Sequence, residues 1–159
     1  MIRYLFATDK LWHLQAFGAA RPTMPGAWSI CMGKDDLADA VDALNPRYTF
    51  FPHWSHKVPK SILDKTECVC FHMADVPYGR GGSPLQNLII RGHSHTKLTA
   101  LRMTEELDAG PVYMKEQLSL DGTAQDIFKR TAQIAVEMIN YIVHETPVPV
   151  PQSGTPTLF

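Results

Sequence analysis

His72 follows the apolar run Cys68–Phe71 and opens a stretch, Met73–Ser83, that is rich in Gly and Pro. An imidazole at the end of a buried strand, beside such a loop, can work as a general acid or as a charged donor to an oxyanion when a carboxylate holds it. The carboxylate that suits it is Asp108, in the acidic turn Thr104–Gly110 between two extended stretches. Spacing alone leaves other readings open, because most single histidines are structural or solvated. Cys68, Cys70 and His72 alternate, so on a strand they face one side, and His53 or His56 would complete a four-ligand metal set. No paired Cys-x-x-Cys spacing accompanies them, so no metal is expected. A Cys70–His72 acyl-transfer pair would lack a separately oriented base.

The elements that must carry these residues alternate between strand and helix. Ile2–Ala7 reads as a buried strand, with Thr8-Asp9 as the cap of a helix over Lys10–Ala20. Ala27–Cys31 is a second extended piece, and Leu37, Ala40, Val41 and Leu44 have helical spacing that Asn45-Pro46 stops. Tyr48–Phe51 and Cys68–Phe71 read as further strands around a helical turn at Lys60–Leu63, and Pro84 opens a helix over Leu85–Ile90. Thr96–Met103 and Pro111–Leu120 are extended, either paired together or added to the sheet. Thr123 caps a long amphipathic helix with Ile127, Ile134, Met138 and Ile142 on its apolar face, which suits a core or a homodimer interface. The expected fold class is therefore α/β: one domain over residues 1–144 with a mostly parallel sheet flanked by helices, and a Pro-rich extended tail over 145–159. Ligands of such sheets sit at the carboxyl ends of strands, which directs attention to the segments after Phe51 and Phe71.

The 159 residues leave room for a single core, and 15 Lys and Arg against 16 Asp and Glu give a net charge of −1. That balance argues against a nucleic-acid partner, which needs clustered cationic residues. Three cysteines with no cationic and apolar leader point to the cytoplasm, and no apolar run reaches the roughly 18–20 residues that span a bilayer.

From His72 onward the chain reads His-Met-Ala-Asp-Val-Pro-Tyr-Gly-Arg-Gly-Gly-Ser-Pro-Leu-Gln, then Gly92, Thr99, Met103 and Leu107-Asp108-Ala109-Gly110. This resembles the 10-formyltetrahydrofolate-dependent formyltransferases, whose pattern is Asn-x-His-Pro-Ser-Leu-Leu-Pro, Arg-Gly-x-x-Pro, a later Gly and Leu-Asp-x-Gly. The register holds without gaps: relative to His72, Pro77 comes five residues later, Arg80 eight, Pro84 twelve, Gly92 twenty and Asp108 thirty-six. The resemblance covers about residues 48–120, and the earlier part looks like a shortened version of the family's Rossmann-like half. The tail around Gln152 also resembles the segment after the last helix of sugar formyltransferases.

The resemblance implies transfer of a formyl group from 10-formyltetrahydrofolate to an amine through a tetrahedral oxyanion. It implies that His72 stabilises the oxyanion and that Asp108 orients His72 and helps move the amine proton. It places the pterin against His53, Trp54, Ser55, His56 and Val58 on one side and Thr104, Glu105, Glu106 and Leu107 on the other. Arg80, Gly81 and Gly82 fall where a nucleotide-linked substrate would lie, Arg80 either holding its phosphate or bracing the loop. Cys70 stands where the family has Asn, and a thiol donates weakly, so either other donors serve or the protein binds without turnover. The Met73–Val76 stretch also departs from Pro-Ser-Leu-Leu. With no room for a separate RNA-binding domain in 159 residues, the expected acceptor is a small amine, foremost a nucleotide-linked amino sugar.

Overall fold

The computed structural model describes all residues, 1–159. A six-stranded sheet forms the centre: β1 (Arg3–Ala7), β2 (Ala27–Cys31), β3 (Tyr48–Pro52), β4 (Glu67–His72), β5 (His95–Arg102) and β6 (Val112–Ser119), in the order β2-β1-β3-β4-β5-β6. The first four strands are mutually parallel, and β5 and β6 extend the sheet antiparallel. The expectation of a mostly parallel sheet holds for β1–β4, with a mixed edge beyond: the short turn between β5 and β6 leaves no room for a crossover, while the longer connection from β4, which holds the helical residues Pro84–Ile90, brings β5 back antiparallel.

The helices are α1 (Leu11–Ala20), α2 (Leu37–Leu44), α3 (Lys60–Leu63), α4 (Pro84–Ile90) and α5 (Ala124–Glu145). Phe17 of α1 and Met138, Ile139 and Ile142 of α5 pack with Phe6, Phe50 and Leu98 on one face of the sheet. Leu37 and Val41 of α2 and Ile62 of α3 pack with Leu5, Phe51 and Cys68 on the other. The apolar stripe of α5 is therefore core, which answers the choice between core and dimer interface. No helix is long and apolar enough to cross a membrane.

Local chemistry explains most boundaries. Asn45 ends α2 in the left-handed conformation that Asn tolerates. Thr123 and Asp126 form a reciprocal capping box at the start of α5. Thr8 does not cap α1 as expected; Lys10 is the cap residue, and the Thr8 hydroxyl instead accepts from its amide at 3.2 Å.

Candidate active site at the carboxyl ends of the parallel strands

β3 and β4 run side by side with Phe51 opposite Cys70, so His53 and His72 emerge at one edge of the sheet. The period of two along β4 sends Val69 and Phe71 to the α1/α5 face and Cys68 and Cys70 to the α2/α3 face, which His72 shares. His72 is the last residue of β4 rather than the first beyond it. The chain leaving β5 folds back over this second face: the Met103 amide donates to the Cys68 carbonyl at 2.8 Å, and Met103 packs against the same apolar cluster as Cys70 and Trp54. The turn that follows is closed by Gly110, where a Cβ would lie 1.8 Å from the Arg102 carbonyl oxygen. Only glycine fits that approach.

This path delivers Asp108 to His72. The carboxylate Oδ2 lies 3.6 Å from His72 Nδ1, with both side chains about nine-tenths buried. Two groups of the Gly-rich loop hold the pair: the Gly79 carbonyl bonds His72 Nε2 at 2.7 Å, and the Gly81 amide donates to Asp108 Oδ2 at 2.9 Å. A carbonyl only accepts, so Nε2 carries a proton and Nδ1 is the ring atom left to face the carboxylate. Asp108 itself is left-handed at φ 54, an uncommon conformation for a non-glycine residue that its surroundings must enforce.

Cys70 sits beside this pair. Burial and the negative charge of Asp108 push its thiol above the ordinary range, so it stays protonated and offers at most a weak S–H donor. Burial also holds Cys68 up, at about 12. No group of three or more His, Cys, Asp or Glu is arranged to hold a metal ion, so the Cys68, Cys70, His72 ligand set is not assembled.

The residues expected around the pterin divide. Val58 is buried in the α2/α3 cluster, and Trp54 packs against that cluster, edge-on to Phe51 and His56, with its Nε1–H buried and unpartnered. Ser55 and His56 are exposed, as are Thr104, Glu105, Glu106 and Leu107. In that turn the Thr104 hydroxyl and the Ala109 amide both donate to the Glu106 carbonyl. An indole, apolar walls at Val58 and Met103, and an exposed peptide turn suit a flat heterocycle that carries amide-like donors and acceptors. His53 departs from the group. At φ 55 it turns to the opposite face, 5.4 Å from the Trp12 ring and 5.2 Å from that of Phe128, edge-on to His13. Burial, followed by the charge of Lys10, lowers its imidazole's affinity for a proton.

Arg80 braces rather than reaching outward: its Nε and one terminal nitrogen both donate to Gln152 Oε1, at 3.1 and 2.8 Å. Gly81 holds Asp108, and Gly82 is exposed. The tail is docked on this loop, with the Thr157 hydroxyl accepting from the Gly79 amide and backbone bonds joining Arg80 to Thr157 and Phe159. Sequence reasoning missed the two backbone partners of the His72–Asp108 pair, since peptide groups carry no residue signature. It also missed buried His13, whose only sequence signal is its place just after β1. The open cleft of about 270 Å³ beside Tyr78, His93, His95 and Lys97 has neither His72, Cys70 nor Asp108 in its wall.

A family model described as "Formyl transferase" matches residues 28–143. A methionyl-tRNA formyltransferase from Rickettsia canadensis is 37% identical over 126 residues, covering 76% of this chain and 42% of that protein. This chain thus spans less than half the length of that relative. Among solved structures, a methionyl-tRNA formyltransferase from Clostridium thermocellum superposes with a TM-score of 0.95 at 39% identity, covering 100% of this chain and 72% of the other. A sugar N-formyltransferase from a Shewanella species shares the fold, with a TM-score of 0.74 at 14% identity over 100% of this chain and 76% of that one.

Proposed function

The chain belongs to the formyl transferase family, and on that premise we propose that it transfers a formyl group from 10-formyltetrahydrofolate to a primary amine. The observation that carries this reading is the 3.6 Å approach of His72 Nδ1 to Asp108 Oδ2, each partner anchored separately by the Gly79–Gly81 loop. The folate would supply the activated formyl group, and Trp54, Val58, Met103 and the 104–107 turn are the residues that would hold its pterin.

The chain's own residues then have distinct tasks. With Nε2 spent on Gly79, the His72 edge that borders the reacting atoms is Nδ1, shared with Asp108. A protonated ring there is a charge-assisted donor where negative charge develops on the formyl oxygen, typically worth about 3–4 kcal/mol. Asp108, fixed by the Gly81 amide, orients the ring and accepts the proton that the attacking amine must lose; N10 of the folate takes up a proton as its bond to the formyl carbon breaks and tetrahydrofolate leaves.

For the acceptor we infer a nucleotide-linked amino sugar, supported by the near-neutral net charge of −1 and by the shared fold with a sugar N-formyltransferase. The identity to methionyl-tRNA formyltransferases favours an aminoacyl-tRNA as the second reading. A third, binding without turnover, is favoured by the thiol at position 70. Formyl transfer from 10-formyltetrahydrofolate to a panel of nucleotide amino sugars and to methionyl-tRNA separates them, with His72→Asn and Asp108→Ala as controls. Transfer to an amino sugar that both substitutions abolish is the expected result. Turnover that survives both ends the assignment.

A further inference from the structure

The Pro-rich tail contributes a side chain that reaches the backbone of the catalytic carboxylate's own turn, Asp108–Gly110. Gln152 Oε1 accepts two hydrogen bonds from the Arg80 guanidinium, and its Nε2 donates to the Asp108 carbonyl at 2.8 Å and the Gly110 carbonyl at 2.9 Å. Two acceptor sites and two donor protons are all that a primary amide has, and every one is engaged. The orientation has no alternative: guanidinium only donates and carbonyls only accept, so a flipped amide would face four mismatched partners.

The partners it joins are those that set the His72–Asp108 geometry. Arg80 lies between Gly79, which holds His72 Nε2, and Gly81, which holds Asp108 Oδ2. The two carbonyls that the amide grips, Asp108 and Gly110, lie immediately C-terminal to the left-handed Asp108 Cα. We propose that Gln152 is a positioning residue: by tying the Gly79–Gly81 loop to the Asp108–Gly110 turn, it sets the distance and angle between the imidazole and the carboxylate. The inference rests on the role given above to that pair. Gln152 touches neither side chain of the pair and acts only through the backbone that bears them.

Two substitutions divide the contact. Gln152→Glu keeps an acceptor for Arg80, now anionic, but turns an oxygen toward the two carbonyls; Gln152→Met keeps the length and removes all four bonds without adding charge. Each is examined in the full chain by the ¹⁵N resonances of the His72 ring and by formyl-transfer kinetics. The expected result is displaced His72 ring resonances in both variants, with His144, bonded to the Asn140 carbonyl at the end of α5, unmoved. The same variants lose about tenfold or more in kcat while KM for the folate stays within about threefold, because an error of about 1 Å in a positioned group is felt mainly in the chemical step. His72 resonances that coincide with the wild type in either folded variant overturn the proposal. The resonance measurement needs no turnover, so a wild-type protein without formyl transfer would refute the proposed function and leave this inference to be judged on its own readout.

Discussion

Gly110→Ala is the most demanding perturbation of the turn that delivers Asp108. A Cβ there would stand 1.8 Å from the Arg102 carbonyl oxygen and 3.0 Å from its carbon, where ordinary contact begins at 3.4 Å. Neither side yields cheaply. The Arg102 amide is bonded to the Pro111 carbonyl at 2.8 Å, the next amide, Met103, to the Cys68 carbonyl at 2.8 Å, and the Gly110 carbonyl to Gln152 at 2.9 Å. Separating the strands by about 1.6 Å breaks or stretches these bonds in addition to the overpacking itself, for a combined cost of about 3–5 kcal/mol. That is a large part of the stability of a small domain. Urea unfolding followed by tryptophan fluorescence measures it, and formyl transfer by the folded fraction should fall about a hundredfold as Asp108 moves relative to His72. A variant with unchanged unfolding midpoint and unchanged transfer would refute the claim that this close approach sets the turn.

Other consequences follow from the same contacts. Burial, then the neighbouring charge of His53, holds His13 down at about 3, against an ordinary 6.5, so the unfolded chain takes up the proton first. Its contribution to stability is complete above about pH 6.5 and lost progressively toward pH 3, with a slope of up to about 1.4 kcal/mol per pH unit; equal acid slopes for wild type and His13→Gln in chemical denaturation would contradict this. Cys70→Asn restores an amide donor beside Asp108 and should raise the formyl-transfer rate by about tenfold or more; an unchanged or lower rate means that no donor is missing there. Thr123→Ala removes half of the capping box on α5 and should cost about 1 kcal/mol without altering transfer; thermal unfolding indistinguishable from wild type would count against it.

The strands and helices were legible where hydrophobic period and punctuation agree. Pro84 opens α4, Asn45-Pro46 closes α2, and Thr123 starts α5 because caps and breakers act locally on the residues that carry them. His72 and Asp108, thirty-six residues apart, are paired by spaced motifs, and the chain path over β4 gives that spacing its physical reason: the turn must return across Cys70 to reach the strand end. Less was legible where a side chain's role depends on backbone it meets in space. His53 follows the same strand as Trp54, yet a single left-handed residue sends it to the opposite face. Arg80 was open between substrate phosphate and brace until Gln152, 72 residues away, supplied its acceptor. The amide of Gln152 lies among prolines, where the local pattern signals only an extended path.

The proposed function rests formyl transfer on the His72–Asp108 pair. Single-turnover release of tetrahydrofolate from 10-formyltetrahydrofolate, in the presence of an accepting amine, tests it directly when wild type is compared with Asp108→Asn, which keeps the shape and removes the charge. The expected rate is lower by a factor of about 10²–10³ with folate affinity retained. A rate equal to that of the wild type would contradict it.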